Sequence, residues 1–287
     1  MTNHQTTNLP TTTTMKTEIK NDEPKEIRKV VSKQKVAVRE SLNETFDLIL
    51  FEDYIKAKNS PFVIGFGDIG ITPIITSNSL IEQLDLPYIG VLLNKEAAPA
   101  SVITGGQAMH PIRIFGDERL IVIVSDSKTE AKLATKLVNA IVKVLPYFNS
   151  TKVFCCEGAP TETTEKIEKR ELQFVTTSTE ISESLMEMEH KPLQEAVIAG
   201  ISGGILAECT AQFSEHDFDT CIFLAPTCSF YPDIWASVLI MQTMSTLLSF
   251  NTDTSTLEKN AKKLEDKAQE LMGIHSSTKS MNQSLYM

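Results

Sequence analysis

The stretch Phe62-Val63-Ile64-Gly65-Phe66-Gly67-Asp68-Ile69-Gly70-Ile71-Thr72-Pro73 opens an apolar run to Leu84 and is followed by Tyr88-Ile89-Gly90-Val91-Leu92-Leu93. It reads as strand, glycine turn, helix, strand. Unbroken apolar runs on both sides of a helix predict parallel strands buried on both faces, with the helix as a right-handed crossover. Thr72 is placed to cap that helix with its hydroxyl, and Pro73 suits the first helical position, where its missing N–H has no partner to lose. The expected fold class is α/β, a mostly parallel sheet flanked by helices.

Outward from this stretch, Phe46-Asp47-Leu48-Ile49-Leu50-Phe51 reads as an earlier strand, and Asn59-Ser60-Pro61 turns the chain into the glycine segment. Residues 1–33 are polar and threonine-rich, with Thr11 to Thr14 in a row. Such a segment buries too little apolar surface to offset its ordering entropy, and disorder is expected there. On the other side, Pro99, Gly105-Gly106 and Pro111 separate short apolar pieces. Gly116-Asp117 then joins Ile112–Phe115 to Leu120–Val124 as a hairpin. Ala134, Leu137, Val138, Ile141 and Leu145 recur at helical spacing, so residues 128–145 form a helix lying on the sheet. Thr151–Cys156 is a further strand, which Glu157-Gly158-Ala159-Pro160 is expected to end.

Residues 161–192 are acidic and read as a solvated face with one short strand and one short helix. Ala196-Val197-Ile198-Ala199 has the composition of a buried strand, running into Gly200-Ile201-Ser202-Gly203-Gly204 and a helix from Ile205. Cys221–Ala225 is the last core strand, and Pro232-Asp233 opens an apolar helix to Phe250. Leu257, Ala261, Leu264, Ala268 and Leu271 then mark a narrow apolar seam on a final helix that Gly273 is placed to end. The organisation is therefore a core domain at 34–255, an amphipathic helix at 256–273 and a flexible tail at 274–287 ending in Leu285-Tyr286-Met287.

Composition narrows the function classes. The chain of 287 residues carries a formal charge of −10. That argues against nucleic acid as a partner, because its binding needs clustered basic residues that release counterions. Five cysteines without ligand spacing fit a reducing compartment, and Cys155 and Cys156 read as small buried hydrophobes. The apolar stretch Ile234–Phe250 is shorter than the roughly 20 residues a membrane span needs. No membrane association and a cytoplasmic location are expected. His4, His110, His190, His216 and His275 show no ligand spacing, so neither a metal nor a cofactor is expected.

Two glycine motifs raise enzyme readings. Gly65, Gly67 and Gly70 satisfy G-x-G-x-x-G between strand and helix, the context of a dinucleotide site. Asp68 would oppose pyrophosphate, Pro73 removes an amide near the helix start, and the second strand ends at Asn94 where a ribose-binding acid is expected; glycines that permit a tight turn explain the same letters. Gly200-Ile201-Ser202-Gly203-Gly204 matches G-x-S-x-G, which would make Ser202 a nucleophile for ester hydrolysis. His216 precedes every plausible acid, however, and His275 lies in the tail. The tail itself offers different chemistry: an apolar residue, a tyrosine and a free carboxylate suit capture in a pocket that pairs the carboxylate with a cation. From Gly273 it reaches about 50 Å when extended.

The order and spacing of several blocks resemble the proteasome assembly chaperone family. They are Gly65 to Gly70, Leu80–Leu84 with Tyr88-Ile89-Gly90, Pro111–Ile114, Leu120–Asp126, Glu157-Gly158, Gly200–Gly204 and Pro232-Asp233, and together they span about residues 45–272. The resemblance implies a three-layer core similar to nucleoside phosphorylases, homo-oligomers among archaeal members, and no catalytic role. Some archaeal members end in a hydrophobic-tyrosine-any-residue motif that docks between α subunits of the proteasome ring, and Leu285-Tyr286-Met287 matches it. The implied function is an assembly chaperone or ATP-independent activator-like factor with the α ring as partner. Gly67, where many relatives are expected to carry proline, and the threonine-rich extension depart from the pattern.

Overall fold

The computed structural model describes residues 34–66, 71–97, 100–104, 106–126, 130–161, 170–211, 217–228 and 232–264. The expected disorder of 1–33, the tail at 274–287 and the end of the final helix fall outside these residues. The described chain is a three-layer α/β structure. Its central sheet has ten strands: β1 (Val36–Ser41), β2 (Phe46–Phe51), β3 (Phe62–Phe66), β4 (Tyr88–Asn94), β7 (Ile112–Gly116), β8 (Ile121–Ser125), β9 (Lys152–Thr161), β10 (Gln173–Thr176), β11 (Lys191–Pro192) and β12 (Asp219–Cys228). β5 (Val102–Thr104) and β6 (Gln107–Met109) form a separate hairpin.

The order across the large sheet is β1-β2-β4-β7-β8-β3-β9-β12-β10-β11. The sheet is mixed rather than mostly parallel. β3 pairs in parallel with β8 and β9, and β9 with β12, while β1-β2-β4-β7-β8 is antiparallel throughout and β10 runs against β12. The expected strand–helix–strand unit survives in orientation only. β4 points the same way as β3, but the β7–β8 hairpin lies between them. A tight antiparallel hairpin of two buried, largely apolar strands fits into that space, and its composition does not reveal which strands flank it.

Helices cover both faces. α2 (Ala134–Phe148) and α4 (Gly200–Thr210) lie on one; α1 (Thr72–Gln83), α3 (Thr179–Glu187) and α5 (Ile234–Leu247) lie on the other. Successive strand residues divide between the two cores. Phe62 and Ile64 face α2, whereas Val63 faces α1, and Cys155 and Cys156 divide likewise. The unbroken apolar runs of β3, β8 and β9 follow from this double burial.

Local chemistry departs from expectation in three places. Thr72 does not cap α1: the preceding position is Ile71, in the left-handed region at φ 50°, and the Thr72 hydroxyl faces inward, 3.5 Å from Thr227 Oγ1. Glu157-Gly158-Ala159-Pro160 does not end β9, which continues to Thr161 in register with β12. Beyond Cys155 that strand has left β3, and beyond Leu224 its partner has left β10. Among the described residues the outer edges of this ribbon have no strand partner, which is where Pro160 and Pro226 are tolerated without an N–H. Finally, Ala196–Ala199 is neither strand nor buried; it is irregular, and Val197 is 96% exposed.

Gly65 governs how closely α1 approaches the sheet. A Cβ there would lie 1.9 Å from Ser77 Oγ and 2.5 Å from Ser77 Cβ. Gly65→Ala is expected to cost about 1–3 kcal/mol by overpacking. Pairing it with Ser77→Gly should cost less than the sum of the two changes, measured by urea unfolding of all four proteins. Additivity would show that the two residues do not share this contact.

Candidate functional site

The carboxyl ends of β8, β3, β9 and β12 lie at one edge of the sheet, where ligands bind in open parallel α/β folds. Two ion pairs, one buried and one whose carboxylate reaches the surface, organise the described part of this edge. Arg170 Nη1 lies 2.9 Å from Asp233 Oδ2 and also donates to Pro226 O, at the end of β12. Asp233 is 1% exposed; its Oδ2 accepts from Cys228 N at 2.8 Å and its Oδ1 from Ala236 N at 3.3 Å, capping α5 as Pro232-Asp233 implies. The carboxylate thus joins β12, α5 and the segment at Arg170. On β7, Arg113 is 3% exposed and pairs with Asp126, which accepts from Asn78 of α1 at 3.3 Å. Each pair sets a strand end against a helix.

Between the clamps the wall is made of hydroxyl groups. Ser237 donates to Thr72 O at 3.1 Å, and Thr227 donates to Ala225 O at 2.8 Å. Thr76 and Ser77 are fully buried, and among the described residues their hydroxyl oxygens have no hydrogen-bond partner. Ser77 Oγ lies against Gly65, so the first glycine of G-x-G-x-x-G makes room for a side chain of the protein's own helix. Gly67 and Gly70 fall outside the described residues. The space a dinucleotide fingerprint uses for close helix–strand packing is present, and it is accounted for by that packing.

Ser202 occupies the first turn of α4 and is 3% exposed, and its hydroxyl donates to Glu157 Oε1 on β9. A nucleophile elbow requires an exposed serine on a strained turn between strand and helix. Here the preceding segment is not a strand, and the serine is buried inside the helix with its proton committed to a carboxylate. Gly203 follows for a similar reason, since a Cβ there would meet Ile198 O at 2.0 Å. Three buried cysteines are equally unreactive. Burial, with the charge of Glu157, pushes the Cys155 thiol up to about 12, and burial raises Cys156 and Cys221 strongly as well. Among the described residues no group of three or more His, Cys, Asp or Glu could hold a metal ion, and no helix is long and apolar enough to cross a membrane.

Leu285, Tyr286 and Met287 lie outside the described residues, but the chain leading towards them is firmly held. Residues 255–264 are helical, with Ala261 buried and Leu257 packed on the α5 side of the core. Gln242 of α5 donates to Thr254 Oγ1 at 3.1 Å and Glu258 Oε1 at 3.2 Å, and Thr254 donates to the same Glu258 oxygen at 2.6 Å. Asp253 N donates to Gln83 Oε1 of α1 at 2.7 Å. The Asp253 carboxyl is held below the usual carboxylate range by the Ser255 hydroxyl and amide. The apolar seam was visible in the sequence. The polar rivet was not, because Gln83, Gln242 and Thr254 are unremarkable letters until α1 and α5 lie side by side. Arg113 carried a faint signal, as a charge between Ile112 and Ile114 in a buried strand.

Residues 62–272 match the PAC2 family, and the chain belongs to it. An uncharacterized protein of Methanocaldococcus jannaschii is 22% identical over 232 residues, covering 81% of this chain and 93% of that protein. Among solved structures, Pyrococcus furiosus PbaA, an archaeal homologue of proteasome-assembly chaperone, superposes with a TM-score of 0.70 at 23% identity, covering 85% of this chain and 98% of that one. PbaB of the same organism, an archaeal proteasome activator, gives 0.68 at 13% identity, covering 80% and 100%. These likenesses bear out the α/β class and the family resemblance seen in the blocks from Gly65 to Asp233.

Replacing Asp233 by Ala removes the partner of a buried guanidinium and the cap of α5 together. A loss of about 3–5 kcal/mol is expected in chemical denaturation. A loss below about 1 kcal/mol would show that the clamp is dispensable.

Proposed function

We propose that this protein is a non-enzymatic proteasome-binding factor, an assembly chaperone or ATP-independent activator-like factor that docks Leu285-Tyr286-Met287 into pockets of the α ring. The observation that carries this reading is membership of the PAC2 family over residues 62–272, in a chain whose last three residues form a hydrophobic-tyrosine-any-residue sequence. The roles of PbaA, a homologue of proteasome-assembly chaperone, and PbaB, a proteasome activator, support the same class of partner. Leu285 fills an apolar slot, the Tyr286 hydroxyl bonds at the pocket rim, and the Met287 carboxylate pairs with a lysine of the ring. The body acts as a homo-oligomer in the cytoplasm. Several tails then engage one ring, and weak single dockings combine through effective concentration. The rivet of Gln242, Thr254 and Glu258 serves this by fixing where each tail departs.

Pulldown of proteasome α-subunit rings by the full-length protein and by a version lacking Leu285–Met287 tests the proposal. Capture by the intact protein and loss of capture on truncation is the expected result. Equal capture by both would place the contact on the body, and capture by neither would overturn the assignment.

A further inference from the structure

The outermost strand of the sheet, β11, pairs with β10 only at Gln173 and Phe174, and Leu193 N then donates to Phe174 O at 2.8 Å. Beyond Leu193 the chain leaves the ladder. Among the described residues, Val175 and Thr176 therefore have β12 on one side and no strand on the other. Residues 195–199, which lead irregularly to α4, donate no backbone hydrogen bond among the described residues. Their side chains nevertheless alternate. Gln194, Ala196 and Ile198 line a groove of about 310 Å³ whose other wall includes Val175, Leu206 and Ala207, whereas Glu195, Val197 and Ala199 point elsewhere. Period two is the spacing of a strand, and Ala199 is extended at φ −103° and ψ 177°. This edge is strand-like in its side chains and open in its hydrogen bonds.

The chemistry of the groove selects its occupant. No charged side chain lines the wall, and a charge brought there would lose water without gaining a partner. An uncharged segment enters at no such cost. The row of open amides calls for carbonyl oxygens at strand spacing, which a neighbouring extended backbone supplies. The edge is also held in place, because Gly203 lets α4 lie against Ile198 O, where a Cβ would come within 2.0 Å. A pre-set edge loses little freedom when a strand joins it. The described chain ends lead away from it: residue 34 enters β1 at the opposite edge of the sheet, and residue 264 leaves from the α1–α5 face, whereas the groove is on the α2–α4 face.

We propose that residues 194–199 and the groove beside α4 bind an extended, uncharged segment of another protein by strand addition. The backbone of that segment pairs along 195–199, and every second side chain, apolar or small, enters the recess over Leu206 and Ala207 while the others face solvent. The apolar composition of Ala196–Ala199, with Val197 96% exposed, is then that of a sheet edge covered on binding. This inference goes beyond the proposed function, and its test uses neither the chain end nor the proteasome.

The probe is a labelled, end-capped hexapeptide of alternating threonine and valine, titrated with the full-length chain and followed by fluorescence anisotropy. Its dissociation constant should lie below about 1 mM, and Ala207→Glu, which puts bulk and charge into the recess, should raise it at least about tenfold. Ala207 is exposed on α4, so its substitution leaves the fold intact. Val36→Glu is the control: Val36 is 49% exposed on β1, at the far edge of the sheet, and this variant should bind as wild type does. Exchanging the peptide's valines for glutamate, or its threonines for proline, should abolish binding. In hydrogen exchange, the amides of 195–199 should be unprotected in the protein alone and slowed at least about tenfold by the peptide. Failure of wild type to bind up to about 1 mM, equal binding by Ala207→Glu, or amides already protected without peptide would each overturn the proposal, the last by giving the groove to the chain's own end or to a second copy.

Discussion

The contact of Gly65 with Ser77 sets the distance between α1 and the sheet, and much of the described structure depends on it. With α1 seated, Thr72 meets Thr227 and accepts from Ser237, which fixes α5 against α1. Gln83 at the far end of α1 then accepts from Asp253 N, and Gln242 of α5 donates to Thr254 and Glu258. The seating of residues 253–258 therefore rests on a glycine far earlier in the chain. Interior packing tolerates little adjustment, so a small change in the α1–sheet spacing propagates to that seating.

Much of this was legible in the sequence. The strand–turn–helix at Phe62–Leu84, the Ile112–Val124 hairpin, the α2 stripe, the Cys221 strand and the Asp233 cap all follow from periodicity and local chemistry. What was hidden depended on long-range pairing. That β7 and β8 lie between β3 and β4 is invisible locally, because each strand is apolar whatever its neighbours. β1 escaped notice because five of its six residues are exposed, leaving no alternation to read. β9 and β12 outran their expected ends because each shelters the other's proline-bearing half. Of the candidate site, the seam at Leu257 and Ala261 was readable, whereas the polar rivet and the Arg170–Asp233 clamp join residues too distant in sequence.

The two enzyme-like motifs illustrate how composition misleads when its cause is packing. Gly65 and Gly203 are glycines because Ser77 and the Ile198 carbonyl occupy the space of a Cβ, and Ser202 is a serine that tethers α4 to Glu157. Ala196–Ala199 misleads in the opposite sense, as buried composition in an exposed place. The first conflict is resolved within the chain.

On this account the body positions and the tail binds. The most direct measurement is the affinity of the intact protein for proteasome α rings, compared with protein carrying one glycine appended after Met287. The added residue moves the terminal carboxylate by about 3.5 Å and leaves the fold untouched. A dissociation constant raised at least about tenfold is predicted, because the carboxylate no longer reaches its cation while Leu285 and Tyr286 stay seated. An unchanged affinity would contradict docking through the chain end.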